Sequence, residues 1–142
     1  MDKVVVIQGA GMDQRGKVQI EVFGTDTLDQ INARIEADAA EAGFQVEIYQ
    51  SNDEVETVTY LAGLDAGDYV AGIINPSGFT TTDGPLPEAI EKFGVPFYEV
   101  HASNPSVRGV HSTILAKCKG GVCGFGYAGY GVALRSIRSG SA

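Results

Sequence analysis

The chain has 142 residues, of which 44% are hydrophobic and 20% charged, so it has the apolar content of one packed domain rather than of a disordered chain. We expect a single domain over residues 1–142. The formal net charge of −8 argues against a nucleic-acid surface, because phosphate binding needs clustered Lys and Arg. No apolar run reaches membrane-spanning length, and no secretory-type leader precedes the first strand. The composition predicts a cytoplasmic protein whose partners include neither nucleic acid nor a membrane.

The two cysteines do not predict a redox or metal site. Cys118 and Cys123 are separated by four residues, which is not the spacing of a redox pair, and no further Cys/His pair accompanies them for zinc. Cys123 alternates with Val122 in a predicted strand, so we expect it to be a small buried core residue. A reactive thiol at Cys118 is the less favoured alternative.

Strands and helices alternate from the start of the chain. Val4 to Ile7 is a β-branched run typical of a strand buried on both faces of a parallel sheet. A long glycine-bearing loop follows. Thr27 and Gln30 then resemble a capping box that opens a helix, and Gly43 is placed to end it. Residues 45–49 are predicted to form the second strand.

The alternation continues to the last helix. Asn52 is predicted to cap the second long helix, whose buried face would consist of Val55, Val58, Leu61 and Leu64. The remaining predicted elements are strands at 69–74, 96–100 and 122–125, a helix that begins near Pro85, and a helix at 130–138.

This regular alternation predicts an α/β fold with three layers. A right-handed, doubly wound parallel sheet of five strands, flavodoxin-like in order, accounts for all the predicted elements. Ligands of such sheets bind beyond the carboxyl ends of the strands at the switch point. The loops after strands one, three and four are therefore the predicted site.

An acid–base pair is predicted at the end of strand four. Glu99 and His101 are two residues apart, so their side chains point to the same side of the strand. A carboxylate beside an imidazole can fix its tautomer and make it a proton donor or oxyanion partner. The alternative is a purely structural hydrogen-bonded pair. Ser103 and Asn104 then offer a hydroxyl and an amide for a carboxylate ligand.

Two further polar residues are candidates for ligand binding. Asn75 follows strand three, where its amide suits recognition of a hydroxyl or carboxylate; an Asx turn before Pro76 is the alternative. Arg108 lies in an irregular loop and is a candidate for binding a substrate anion. An exposed arginine without such a role is the alternative for Arg108.

The loop after strand one is long enough to be a lid. Residues 9–11, Gly-Ala-Gly, match a phosphate-binding turn only weakly and lack the dinucleotide pattern, so we reject a nucleotide site. Arg15, Lys17 and Glu21 supply charges in this loop. A loop of this length in a compact domain is usually functional, and its closure would exclude water from a reaction.

Several short segments form a specific set by their order and spacing. They lie at 50–52 (QSN), 74–82 (INPSGFTTT), 99–104 (EVHASN), 124–126 (GFG) and 129–130 (GY). Together they resemble one enzyme family, type II 3-dehydroquinate dehydratase. The resemblance runs from Val4 to about Ile137. It implies a flavodoxin-like fold and a lyase that removes water from a 3-keto cyclic acid by anti elimination, with no metal or cofactor. It also implies a homo-oligomer, either a trimer or a dodecamer of four trimers.

The resemblance also assigns site residues. The implied residues are catalytic His101 and Glu99, substrate-binding Asn75, Ala102, Ser103 and Arg108, lid-loop Gly11, Arg15, Val18 and Phe23, and Glu88 as a contact with a neighbouring subunit.

The lid departs from the family pattern. Phe23 stands where the family has its tyrosine base, and Val18 stands at a lid arginine. Gly11 replaces an asparagine, Thr81 a substrate-binding histidine, and Glu88 an aspartate from a neighbouring subunit. The retained residues can bind a carboxylate and donate a proton, whereas the lost ones removed the α-proton and recognised the ring hydroxyls.

We therefore expect a divergent lyase, isomerase or hydratase acting on a small, cyclic carboxylic or keto acid. One alternative is a true 3-dehydroquinate dehydratase with a replaced base, and another is a non-catalytic, oligomeric binding protein of the same fold. The candidate replacement bases are Asp13, Glu21, Asp53 and Glu54, with Tyr49 and Tyr127 given lower weight.

Overall fold

A computed structural model describes residues 1–140 of the chain. Its sheet has five strands: β1 (Asp2–Ala10), β2 (Phe44–Gln50), β3 (Ala71–Ser77), β4 (Phe97–His101) and β5 (Gly120–Cys123). All neighbouring strands pair in parallel, in the order β2-β1-β3-β4-β5. This is the flavodoxin-like order predicted from the sequence.

Helices cover both faces of the sheet. They are α1 (Ile20–Phe23), α2 (Leu28–Ala42), α3 (Glu54–Ala62), α4 (Leu86–Lys92) and α5 (Ala128–Arg138), with short 3₁₀ turns at Met12–Gln14, Ala66–Asp68, Pro105–Arg108 and Leu115–Lys117. α2 and α5 pack on one face, and α3 and α4 on the other, which gives the predicted three layers. No helix within residues 1–140 is long and apolar enough to cross a membrane.

β1 is a central strand and is buried on both faces. Val4 and Val6 pack under α2 and α5, while Val5 and Ile7 pack under α3 and α4. Each such side chain contributes about 1.5–3 kcal/mol when it leaves water. The strand runs past the predicted end at Ile7, because the backbone of Gln8 pairs with both β2 and β3.

The ends of α2 follow the sequence prediction. Thr27 Oγ1 accepts from the Gln30 backbone N–H at 3.3 Å, and Gln30 Oε1 accepts from the Thr27 N–H at 2.9 Å. Gly43 ends the helix with φ 84°, a left-handed conformation that glycine adopts without steric cost. The predicted capping box is confirmed.

The prediction for α3 was wrong in two respects. Asp53, not Asn52, caps the helix, accepting from the Glu56 N–H at 2.9 Å. Val55 is 64% exposed, and the buried face is centred on Thr57 and Leu61. Thr57 can be buried because its hydroxyl donates to the Asp53 carbonyl at 3.0 Å, so no polar group is left unpaired.

β5 begins two residues earlier than predicted and lies at the edge of the sheet. Cys123 pairs with His101 of β4, and its side chain is exposed, which contradicts the predicted buried core position. An edge strand lacks a second neighbour to cover it. Cys118 is half-buried, and burial raises the pKa of its thiol to about 12, which does not favour a reactive thiol at this position.

Candidate active site

A cavity of about 590 Å³ opens where β1, β3 and β4 end. Its walls come from the loops after these three strands, as the topology predicted. The lining residues are Ala10, Gly11, Gln14, Arg15, Val18, Gln19, Phe23, Asn75, Ser77, Gly78, Thr80, Thr81, His101, Ala102, Ser103, Pro105, Arg108 and Val110.

His101 is held on the cavity wall by Glu99. His101 Nε2 lies 2.7 Å from Glu99 Oε2, and the Glu99 side chain is only 2% exposed. A carboxylate can only accept hydrogen bonds, so the Nε2–H of His101 donates to it. Nδ1 is then the nitrogen that remains for a ligand.

Ser112 completes this arrangement. Its hydroxyl donates to Glu99 Oε1 at 2.8 Å and accepts from the backbone N–H groups of Ile114 and Leu115 at 3.0 and 3.1 Å. Both oxygens of Glu99 are therefore engaged, and the carboxylate has a fixed orientation. The sequence analysis missed Ser112, because it reaches Glu99 from the irregular segment between β4 and β5.

Asn75 is also fixed from behind. It is 2% exposed, and its Nδ2 donates to the hydroxyl of Tyr130 at 2.9 Å. That hydroxyl donates in turn to Gln8 Oε1 at 2.7 Å. Burial raises the pKa of Tyr130, so the phenol stays neutral and can serve as donor and acceptor together. The direction of this chain leaves Asn75 Oδ1 for a ligand donor. The sequence analysis quoted Tyr130 in the resemblance but assigned no site role to Tyr130 or Gln8.

The lid loop carries a buried arginine into the cavity wall. Arg15 is 5% exposed, and the ring of Phe23 lies over its guanidinium, with 3.7 Å between Cζ and the ring centroid. Arg15 Nη2 donates to Ser77 Oγ at 3.0 Å. Nη1 is buried and has no hydrogen-bond partner within residues 1–140. The position aligned with the family's lid arginine, Val18, is apolar, but Arg15 brings a positive charge to the same cavity.

Ser77 lies in a segment that carries the resemblance, but the sequence analysis assigned it no role, and its backbone is unusual. Its φ of 48° lies in the left-handed region, which non-glycine residues rarely adopt. Such strain persists only where the surroundings hold it, and here the Ser77 hydroxyl meets the Arg15 guanidinium. Arg108 also lies over the Phe23 ring, with 5.7 Å between its Cζ and the ring centroid, and its Nη1 donates to Ser103 Oγ at 3.0 Å.

The structure brings most of the predicted site residues together. Those that line the cavity are Gly11, Arg15, Val18, Phe23, Asn75, His101, Ala102, Ser103 and Arg108. Glu99 lies behind His101. Asn104 instead caps the following turn, accepting from the Ser106 N–H at 3.2 Å. Glu88 is exposed on α4 and pairs with Lys92 at 2.8 Å, away from the cavity of its own chain.

None of the six candidate replacement bases lines the cavity. Asp53 caps α3, and Glu54 accepts from the Leu86 N–H at 2.9 Å. Tyr127 donates to the carbonyl of Phe23 at 3.0 Å, and burial raises its pKa. Asp13 accepts from the side chain of Asn52. Glu21 is exposed on α1, and Tyr49 stacks on Tyr60.

The titratable groups of the lining are consequently few. They are Arg15, His101 and Arg108. Arginine does not release its proton in proteins, whereas histidine exchanges one near neutral pH. His101 therefore supplies the one imidazole of this lining within residues 1–140.

The fold and the site together define a doubly wound α/β protein with a carboxylate-bound histidine in a cavity that two arginines line. The model of the class II dehydroquinase family matches residues 2–138, and the chain belongs to this family.

The relatives agree with this assignment. The 3-dehydroquinate dehydratase of Helicobacter hepaticus is 36% identical over 138 residues, covering 95% of this chain and 87% of the relative. The 3-dehydroquinate dehydratase of Shewanella oneidensis is 39% identical over 135 residues, which cover 93% of this chain and 90% of the relative. Among solved structures, the type II dehydroquinase of Propionibacterium acnes superimposes with a TM-score of 0.90 at 27% identity, covering 98% of this chain and 97% of the other. The structure of a 3-dehydroquinate dehydratase-like protein from Bifidobacterium longum superimposes with a TM-score of 0.74 at 26% identity. The match covers 100% of this chain and 99% of the other.

Proposed function

We propose that this protein is a dehydroquinase-type lyase that removes water from a small, cyclic carboxylic or keto acid. The observation that carries the proposal is the buried Glu99, which fixes His101 at the wall of a cavity that also contains Asn75 and two arginines. Family membership supports a dehydratase, and the altered lid supports a substrate that differs from 3-dehydroquinate.

In this proposal His101 donates the proton that converts the departing hydroxyl into water. The α-proton must be taken by a base, and the C–H electron pair then forms the new double bond as the C–O bond breaks. Phe23 has no titratable oxygen for this step. Within residues 1–140 the cavity lining contains no carboxylate and no second imidazole, so we propose that neutral His101 takes the α-proton at Nδ1 and then delivers a proton to the hydroxyl.

A single histidine that performs both transfers works from one face of the substrate ring. We therefore expect syn elimination, in contrast to the anti elimination that the family resemblance implies. A substrate deuterated stereospecifically at the α-carbon tests this point. Loss of the hydrogen on the face of the departing hydroxyl supports one histidine in both roles, and loss of the opposite hydrogen requires a separate base.

The second candidate is 3-dehydroquinate dehydratase itself, which the names of relatives at 36% and 39% identity favour. Purified protein incubated with 3-dehydroquinate, with absorbance recorded for the conjugated enone of the product, separates the two. Rapid product formation supports this second candidate. Absence of product, followed by turnover of another cyclic hydroxy acid, supports the altered substrate. Binding of such acids without turnover of any of them indicates a non-catalytic binding protein.

His101→Ala tests the assignment of the acid–base group. We expect turnover to be lost while the far-ultraviolet spectrum and the oligomeric state are retained. His111→Ala is the matched control, because His111 is the other histidine of the chain and is exposed outside this cavity. An active His101→Ala protein would refute the assignment.

We also propose that the protein is a homo-oligomer in which Glu88 approaches the cavity of a neighbouring subunit. Its exposure on α4 is compatible with this role. Sedimentation velocity of the wild-type protein tests the assembly, and a monomer at micromolar concentration would refute it.

A further inference from the structure

The cavity contains two guanidinium groups without a negative charge to balance them. Arg15 and Arg108 both line it, and neither forms an ion pair with any residue from 1 to 140. This is unexpected in a chain whose net charge is −8, because acidic partners are abundant elsewhere on the molecule. The Glu99 carboxylate does not compensate them, since its two oxygens are engaged by His101 and Ser112.

Arg15 is the more informative of the two. A buried cation is destabilising unless an anion or several hydrogen bonds compensate it. The contacts of the Arg15 side chain are neutral: the hydroxyl of Ser77, the ring of Phe23 and the phenol of Tyr127. Its Nη1 has no hydrogen-bond partner within residues 1–140, although the residue is only 5% exposed.

The backbone at Ser77 supports a functional reason for this arrangement. The φ of 48° is a strained conformation, and the hydroxyl it presents holds the Arg15 guanidinium at the cavity wall. Arg108 is exposed and lies over the same Phe23 ring, with 5.7 Å between its Cζ and the ring centroid, and Ser103 Oγ accepts from its guanidinium. The cavity thus has one arginine–serine pair from the lid and β3, and another from the loop after β4.

We propose that the ligand of this cavity carries two carboxylates, one compensated by Arg15 and Ser77 and the other by Arg108 and Ser103. The substrate class is then a small cyclic dicarboxylic acid. This inference rests on the proposed function, because it assumes that the cavity binds small cyclic acids. It goes further because it assigns the second carboxylate of the ligand to Arg15. Arg15 occupies a lid position different from that of the family's lid arginine.

Isothermal titration calorimetry of the full chain tests the proposal with defined probes. The cyclohexane-1,2-, 1,3- and 1,4-dicarboxylates are compared with cyclohexanecarboxylate at the same ionic strength. We expect at least one of the diacids to bind roughly tenfold or more tightly than the monoacid, as a second charge-assisted contact gives. Arg15→Met should lower the affinity for that diacid to the level of the monoacid.

Arg34→Met is the matched control, because Arg34 is an exposed arginine on α2 outside the cavity and should leave both affinities unchanged. If Arg15→Met does not fold, Arg15→Gln keeps a polar side chain of similar shape and should show the same loss. In either variant the free energy of unfolding without ligand should not fall, since an uncompensated buried charge has been removed.

The outcomes are distinct for the two proposals. A monoacid that binds as tightly as every diacid overturns the two-carboxylate inference and leaves the proposed function standing. A tight diacid whose affinity is unchanged in Arg15→Met and Arg15→Gln overturns the role of Arg15. Failure of all four acids to bind overturns the inference and counts against the proposed function as well.

Discussion

Replacing Ser112 by alanine should weaken both the fold and the catalytic pair. The substitution removes the hydroxyl that donates to Glu99 Oε1 at 2.8 Å. The Glu99 side chain is only 2% exposed. A hydrogen bond to a charged group contributes about 1.5–3 kcal/mol. The same hydroxyl accepts from the N–H groups of Ile114 and Leu115. Loss of this acceptor should lower the free energy of unfolding by about 0.5–1 kcal/mol more. We expect the free energy of unfolding to fall by about 2–4 kcal/mol.

Urea unfolding followed by circular dichroism measures this loss. Turnover should fall about tenfold or more even where the variant is fully folded, because a Glu99 that is free to rotate no longer orients His101. The loss should appear in kcat with little change in KM, since Ser112 does not line the substrate cavity. Ser112→Thr keeps the hydroxyl and should recover most of both properties.

Ser106→Ala is the control, because Ser106 lies in the same segment and its hydroxyl has no contact with Glu99. If Ser112→Ala unfolds within about 0.5 kcal/mol of wild type, as an ordinary surface substitution does, the hydrogen bond to Glu99 is not significant for stability. If kcat is also unchanged, the orienting role assigned to Ser112 is wrong.

Three further outcomes are expected. Tyr130→Phe leaves Asn75 Nδ2 without its acceptor, so the free energy of unfolding measured in urea should fall by about 2–4 kcal/mol. A loss below about 0.5 kcal/mol would contradict the buried hydrogen-bond chain. Phe23→Tyr places a phenol beside Arg15, so ultraviolet difference titration against wild type should give a pKa below the ordinary value of about 10. The pKa of Cys118 is raised from 9.0 to about 12, so above pH 9 the unfolded chain loses a proton that the folded protein keeps. The free energy of unfolding should therefore fall between pH 9 and 12, less steeply in Cys118→Ala.

Much of the fold follows from local patterns. The β-branched run of β1 predicts a central strand, since only a strand covered on both faces buries every residue. The capping box of Thr27 and Gln30 starts α2 where the sequence places it, because its hydrogen bonds join residues three apart. The spacing of Glu99 and His101 likewise predicts that their side chains share one side of β4.

Local patterns were weaker where the partner lies outside the segment. Asn52 was a reasonable helix cap by residue type, but in the structure it accepts from the N–H of Gly11 at 2.9 Å and leaves the cap to Asp53. Cys123 fits a buried strand by alternation alone, yet its strand forms the edge of the sheet and its side chain is exposed. Strand order decides exposure, and it is a property of the whole sheet.

The sequence by itself determined the class of fold, the position of the cavity at the switch point and the retained Glu99–His101 pair, because all three depend on periodicity and on residues close together in the chain. Only the tertiary structure decided how the side chains in the site are held and charged. Tyr130 reaches Gln8 across 122 residues, and Arg15 reaches Ser77 across 62. Such contacts depend on where packing brings distant loops, and no local pattern encodes that placement.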